Sequence, residues 1–283
     1  MYSNTLVPLD TNQRDDYWLK APLEIAVEMS GSGTGIHLMS AIPLRWLEGF
    51  YPNIYRHELA EETKKKLETI AKKDCLNDRR VDICVEEGGA ISSDILKVAD
   101  DLSVDAIVMA SHMPMLRDYV LGSHAAHVAL HVPCSVFVAR TPTCSKILVP
   151  VDTNYENDEW LKALFQTACE KAKKSHAAML VVSVIPDIMF GGFDREINTL
   201  VEKTKDKLDA IVAKYCPPHL RIEVSVVSGG ISHEILRMAR EHAIDVIVMA
   251  SHGPIYKDYF IGSNAAHVAL HAPCSVHIVR SES

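Results

Sequence analysis

The sequence predicts an α/β protein of two tandem units, each a mostly parallel, doubly wound sheet flanked by helices. Three observations predict it. The 283-residue chain repeats itself at a nearly fixed offset. Short apolar, strand-like runs alternate with longer segments whose apolar residues recur every three or four positions. The fourth run of each copy opens into a glycine-bearing loop that leads into a helical pattern, at Ala110–Ser123 (ASHMPMLRDYVLGS) and Ala250–Ser263 (ASHGPIYKDYFIGS).

The repeat divides the chain. Leu6-Val7-Pro8-Leu9-Asp10-Thr11-Asn12 returns as Leu148-Val149-Pro150-Val151-Asp152-Thr153-Asn154, and Trp18-Leu19-Lys20-Ala21 as Trp160-Leu161-Lys162-Ala163, both at an offset of 142. The offset falls to 141 at Leu67 and Leu208, and to 140 from Ile91 and Ile231 onward. Two copies that lost single residues in loops would behave so. Residues 1–142 and 143–283 are the expected domains, joined near Thr141-Pro142-Thr143.

In the second copy, strands are expected near Lys146–Val151, Ala178–Val184, Arg221–Val227, Val246–Met249 and Ser275–Val279. Helices are expected near Asp158–Ser175, Asp194–Tyr215, Ser232–His242 and Ser263–His271. In the second of these helices Ile197, Val201, Thr204, Leu208, Ile211 and Tyr215 form one apolar stripe. Leu59, Thr63, Leu67 and Ile70 repeat it in the first copy. Pro22, standing where the second copy has Leu164, predicts a kink or a delayed start in the first helix.

A formal charge of -8 and a pI near 5.9 argue against nucleic acid or an anionic membrane as bulk partner. The lysines of Lys64–Lys66 and Lys171–Lys174 fall on helical patterns and read as solvated faces. No charged-then-apolar leader opens the chain, and the apolar run Ala177–Ile185 is too short to span a bilayer, so a cytoplasmic protein is expected. Seven cysteines without a C-x-x-C pair read as free, mostly buried thiols.

Doubly wound sheets take ligands at the carboxyl edge, where strand order reverses. If the first and fourth strands of each copy are central neighbours, Asp152 converges there with the Ala250–Ser263 loop, and Asp10 with Ala110–Ser123. A strand, a glycine-bearing loop and a helix start present backbone N–H groups to an anion.

The run VMASHG…IGSNAAHVALHAPCSVHIVR, with ILVPVD at the head of the repeat, resembles the universal stress protein family over nearly the whole chain. The resemblance implies two tandem Rossmann-like domains with five-stranded parallel sheets. It also implies pairing of the halves through their last strands, an internal pseudo-dimer with Ser135–Val138 near Ser275–Val279. Nucleotide-binding members carry Gly-x2-Gly-x9-Gly-(Ser/Thr) around ATP. Here the second copy reads Ala250-Ser251-His252-Gly253, then eight residues, then Gly262-Ser263. In the first copy Ala110 and Met113 replace both leading glycines before Gly122-Ser123. By position, Pro150, Asp152, Val184, Met249 and Ala250 would contact the nucleotide, as would Gly253, Gly262, Ser263 and Asn264. Their first-copy counterparts include Pro8, Asp10, Ala41, Met109, Ala110, Gly122 and Ser123. The implied ligand is ATP, ADP or AMP, and the only metal expected is magnesium carried with it.

Each feature also has a structural reading. Gly262-Ser263 is equally an ordinary helix N-cap. Asp152 and Asp10 either meet ribose or base, or close an Asx-turn with the Thr and Asn that follow. Met113 argues against a phosphate in the first copy. Lys257 and Arg117 hold equivalent loop positions and read as solvent-exposed. His127 and His131, like His267 and His271, stand four residues apart, and read as capping or interface residues rather than zinc ligands. Ser228-Gly229-Gly230-Ile231-Ser232 echoes a pyrophosphatase loop but follows the wrong strand, so it reads as a turn. No nucleophile elbow, Walker lysine or joined carboxylate pair is present, so no catalytic residue is assigned. The function expected is that of a nucleotide-binding regulator or sensor. The rivals are a nucleotide-free scaffold acting through a protein partner or further homo-oligomers, and a slow ATP hydrolase.

Overall fold

The computed structural model describes residues 2–12, 16–42, 53–73, 76, 79–111, 123–140, 144–154, 158–186, 194–251 and 262–280. They form two compact units, the first carrying β1 to β5 and the second β6 to β10. No helix among them is long and apolar enough to cross a membrane.

The second unit runs β6 (Lys146–Pro150), α5 (Asp158–Ser175), β7 (Ala178–Ile185), α6 (Asp194–Tyr215), β8 (Ile222–Ser228), α7 (Ile231–Glu241), β9 (Val246–Ala250), α8 (Ser263–His271) and β10 (Ser275–Val279). Its strands lie in the order β8-β7-β6-β9-β10, every pair parallel. A parallel sheet covered on both faces has no wet side, and the central strands show it. Ile147, Leu148 and Val149 of β6 are wholly buried, as are Ile247 and Val248 of β9. Each such side chain contributes about 1.5–3 kcal/mol by leaving water.

Helix spacing supplies the covering layers. Leu161, Leu164, Phe165, Ala168, Cys169 and Ala172 are buried along one face of α5. On α6 the expected stripe turns inward at Thr204 and Leu208, with Val201, Ile211 and Tyr215 half-buried. Helix α5 contacts α6, and α7 contacts α8, as right-handed crossovers dictate when winding reverses at β6. Lys171 departs from the solvated-face reading. It is 6% exposed, because three residues after Ala168 it falls on the sheet side of α5, near His277 of β10. Burial and that lysine together hold the His277 imidazole down to about 3.

The first unit runs β1 (Tyr2–Pro8), α1 (Asp16–Met29), β2 (Ser30–Ile42), α2 (Asn53–Lys73), β3 (Arg80–Glu87), α3 (Ile91–Asp101), β4 (Ala106–Ala110), α4 (Ser123–His131) and β5 (Ser135–Ala139). Its order, β3-β2-β1-β4-β5, is also all parallel. Pro22 does not delay α1. The helix begins at Asp16, the equivalent of Asp158, and carries the proline inside it. Strand β2 is longer than β7, with a register shift near its start and Gly33 at φ 87, a backbone region that favours glycine.

Candidate functional site

The carboxyl edge of the second sheet is built by two short extensions. Beyond β6, the N–H of buried Val151 donates to Val182 O at 2.8 Å, which carries the pairing with β7 one residue further. Asp152 then turns into solvent, and its Oδ1 accepts the N–H of Asn154 at 2.9 Å. Beyond β9, the N–H of Ser251 donates to Val279 O at 3.1 Å, holding Ser251 against the end of β10 at 1% exposure.

Because β6 and β9 pair directly, through Ile147 with Val246 and Leu148 with Ile247, these extensions lie side by side. Helix α8 starts at the same place. The N–H of Gly262 donates to Ser251 O at 2.7 Å, and Ala266 N–H then donates to Gly262 O to open the helical ladder. The N–H groups of Ser263, Asn264 and Ala265 therefore have no carbonyl ahead of them within α8. Gly262 has φ -60 and ψ 148, which any residue can adopt, and no side chain caps it. Glycine is favoured here by proximity, since a Cβ would lie 3.3 Å from Ser251 O.

The structure thus brings Pro150, Asp152, Met249, Ala250, Gly262, Ser263 and Asn264 to one edge. Met249 is buried, Ala250 and Asn264 are half-buried, and Ser263 is exposed. Val184, half-buried, sits on β7 two residues beyond Val182, the partner of Pro150, and so stands at the rim of the same edge. Gly253 and Lys257 lie outside the described residues, as do Gly122, Met113 and Arg117.

The first unit repeats the frame. Asp10 Oδ1 accepts the N–H of Asn12 at 3.0 Å, Leu9 N–H donates to Met39 O at 2.7 Å, and Ser111 N–H donates to Ala139 O at 3.0 Å. Pro8 ends β1, Ala41 lies near the end of β2, Met109 and Ala110 end β4, and Ser123 begins α4. In both units the aspartate closes an Asx-turn through Oδ1.

The remaining motifs make local contacts. His127 and His131 stack with ring centroids 4.1 Å apart, and His131 Nδ1 lies 2.7 Å from His127 O. His267 and His271 stand 4.5 Å apart at centroids. Among the described residues no three His, Cys, Asp or Glu side chains group as metal ligands. Gly229, at φ 150, donates its N–H to Ile185 O, so the SGG stretch is a turn closing β8 onto β7 before α7.

One functional-looking pair was missed from sequence. Asp245 and Asp105, just before β9 and β4, bind the starts of β6 and β1 at the opposite edge of each sheet. The only signal was their matching place in the repeat.

Duplicated parallel sheets, the second with a helix start fastened at the reversal point, define a tandem doubly wound α/β protein. The chain belongs to the universal stress protein family, whose model matches residues 1–140 and 144–280. Universal stress protein G of Escherichia coli O157:H7 is 25% identical over 146 residues, covering 50% of this chain and all of that protein. The crystal structure of a universal stress protein from Archaeoglobus fulgidus superposes with a TM-score of 0.66 at 19% identity, covering 99% of this chain and 97% of that one. A functionally unknown protein from Pseudomonas aeruginosa PAO1 gives a TM-score of 0.69 at 15% identity, with 99% and 93% covered. The last two carry the tandem fold across the full length.

Proposed function

We propose that the second unit binds an adenine nucleotide between the ends of β6 and β9, and that the chain acts in the cytoplasm as a sensor or regulator. Pro150, Asp152 and Val184 would hold the nucleoside, with Met249 and Ala250 beside them. Gly262, Ser263, Asn264 and the loop carrying Gly253 would hold phosphate. The observation that carries this reading is the bond from Gly262 N–H to Ser251 O. It brings a helix start to the edge where strand order reverses, the place that suits an anion and its nucleoside. Ala250 and the short loop favour AMP or ADP over a magnesium-bound triphosphate. The first unit, with Met113 in the corresponding loop, is the weaker site.

Calorimetric titration of the full chain with ATP, ADP and AMP tests the reading. Binding should appear, and Gly262→Val should weaken it more than tenfold, because a branched side chain would push α8 off Ser251. Unchanged affinity in that variant would move the site elsewhere.

A second reading is favoured by the engagement of Asp10 and Asp152 in their own turns. In it the chain is a nucleotide-free scaffold, and no nucleotide gives heat or a thermal shift. Phosphate release that scales with protein and disappears in Gly262→Val would instead identify a hydrolase.

A further inference from the structure

The tail of α6 lies along α5, and the contact is chemically uneven. Near its polar end, Asp158 accepts hydrogen bonds from Lys214 Nζ and from the Tyr215 hydroxyl. Two turns further along α5, the rings of Phe165 and Tyr215 stack at 5.7 Å, almost parallel. One turn beyond that, the Sγ atoms of Cys169 and Cys216 share a hydrogen bond at 3.6 Å. Two neighbouring contacts hold the two thiols together, although they stand 47 positions apart in sequence.

We propose that Cys169 and Cys216 form a reversible redox site, a dithiol that a hydroperoxide converts to a disulfide stapling α5 to the end of α6. Closing the gap to a bonding distance of about 2.05 Å takes roughly 1.5 Å of sulfur movement. The positions allow it. Cys216 is the first residue after α6 and precedes Pro217 and Pro218; its N–H still donates to Val212 O at 2.9 Å, so the adjustment falls to the side-chain torsions of the two cysteines. Cys216 is half-buried and gives an oxidant a way in, while Cys169 is 8% exposed. The shared hydrogen bond lets either sulfur carry the thiolate while the other donates to it.

In the first step the thiolate of the pair attacks the peroxide. An S–O bond forms, the O–O bond breaks, and the departing hydroxide takes a proton. In the second, the other cysteine's sulfur loses its proton and attacks the oxidised sulfur. The S–S bond forms, the S–O bond breaks, and the leaving hydroxide departs as water with that proton. Two electrons pass from the thiols to hydrogen peroxide, giving one disulfide and two waters. In a reducing compartment such a bond is transient, which suits a sensor.

The duplication supplies an internal comparison. Cys75 stands where the second copy has Cys216, but Val27 stands where it has Cys169. The first unit holds only one member of the pair.

The test uses the full reduced chain, treated with hydrogen peroxide and then alkylated and digested with trypsin. The expected product joins Ala163–Lys171 to Tyr215–Arg221, with two fewer alkylated thiols, and forms at least tenfold faster in folded than in urea-unfolded protein. The oxidised chain should melt about 5–10 °C higher, a gain reversed by dithiothreitol. Cys216→Ser should lose both the link and the gain, and Cys169→Ala does the same by removing the other sulfur. Absence of this link, its formation no faster in folded protein, or a melting gain that survives in both variants would overturn the proposal.

Discussion

Asp245 Oδ2 accepts the backbone N–H of Ser145 at 2.7 Å, the Ser145 hydroxyl at 2.6 Å and the N–H of Lys146 at 3.1 Å. Asp105 does the same for Ser3 and Asn4 in the first unit. One carboxylate thus ties the start of the fourth strand to the start of the first and fixes the register of the two central strands. Hydrogen bonds to a charged acceptor contribute about 1.5–3 kcal/mol, less where water competes. Asp245→Ala should therefore destabilise the second unit by about 1–2 kcal/mol, read as a lower urea midpoint with unchanged slope. Nucleotide affinity should not move, since the clamp lies at the edge away from Gly262.

The two units place a carboxylate at the same point of their third helix and surround it differently. Asp94 is buried and its Oδ2 has no hydrogen-bond partner, so burial first, then the charge of Glu86, pushes its pKa up. Glu234 accepts Arg237 Nε at 2.9 Å and Nη2 at 2.6 Å, and that pairing holds its pKa down. The linkage signs are opposite. Native Asp94 binds its proton more tightly than the unfolded chain does. Its contribution therefore rises as pH falls from above its raised pKa toward the unfolded value of about 4. Native Glu234 binds its proton less tightly, so its contribution is complete above the unfolded value of about 4.3 and is lost as pH falls below it. Melting curves between pH 7 and pH 3 should show the parent gaining on Asp94→Asn, and losing its advantage over Glu234→Gln, as acid is added. Parallel difference curves would contradict the assignment.

Much of this fold was legible because a parallel sheet writes its strands as plain apolar runs. Val246–Met249 could be nothing else between two polar turns, and the repeat confirmed its partner at Ala106–Met109. The helices were legible from spacing, as at Leu208, wholly buried where the stripe placed it. What stayed hidden depends on distant partners. Cys169 meets Cys216 across 47 residues and Asp245 meets Ser145 across 100, and no local pattern announces either. Lys171 was misread because lysines in a cluster look solvated, whereas helical phase, not composition, decides which of them turns inward. At the site, sequence pointed to Gly262 through a ligand pattern. The structure supplies a second reason for glycine, the Ser251 carbonyl 3.3 Å from where a Cβ would be.

The two readings of Asp152 make separable demands on one side chain. Its Oδ1 accepts the Asn154 N–H at 2.9 Å, a bond that an amide oxygen can also make. Asp152→Asn therefore keeps the turn while removing the charge and replacing an acceptor oxygen with a donor nitrogen. If the aspartate only closes the turn, neither stability nor nucleotide affinity changes. If it also accepts from ribose hydroxyls or the adenine amino group, a charged hydrogen bond worth about 1.5–3 kcal/mol is weakened or lost. The expected outcome is an adenosine or AMP affinity reduced about tenfold or more, with a melting temperature within about 2 °C of the parent. Titration and thermal unfolding of the same preparation check both halves. A large melting shift would show that the turn needs the charge itself, and unchanged affinity would leave Asp152 with a purely structural role.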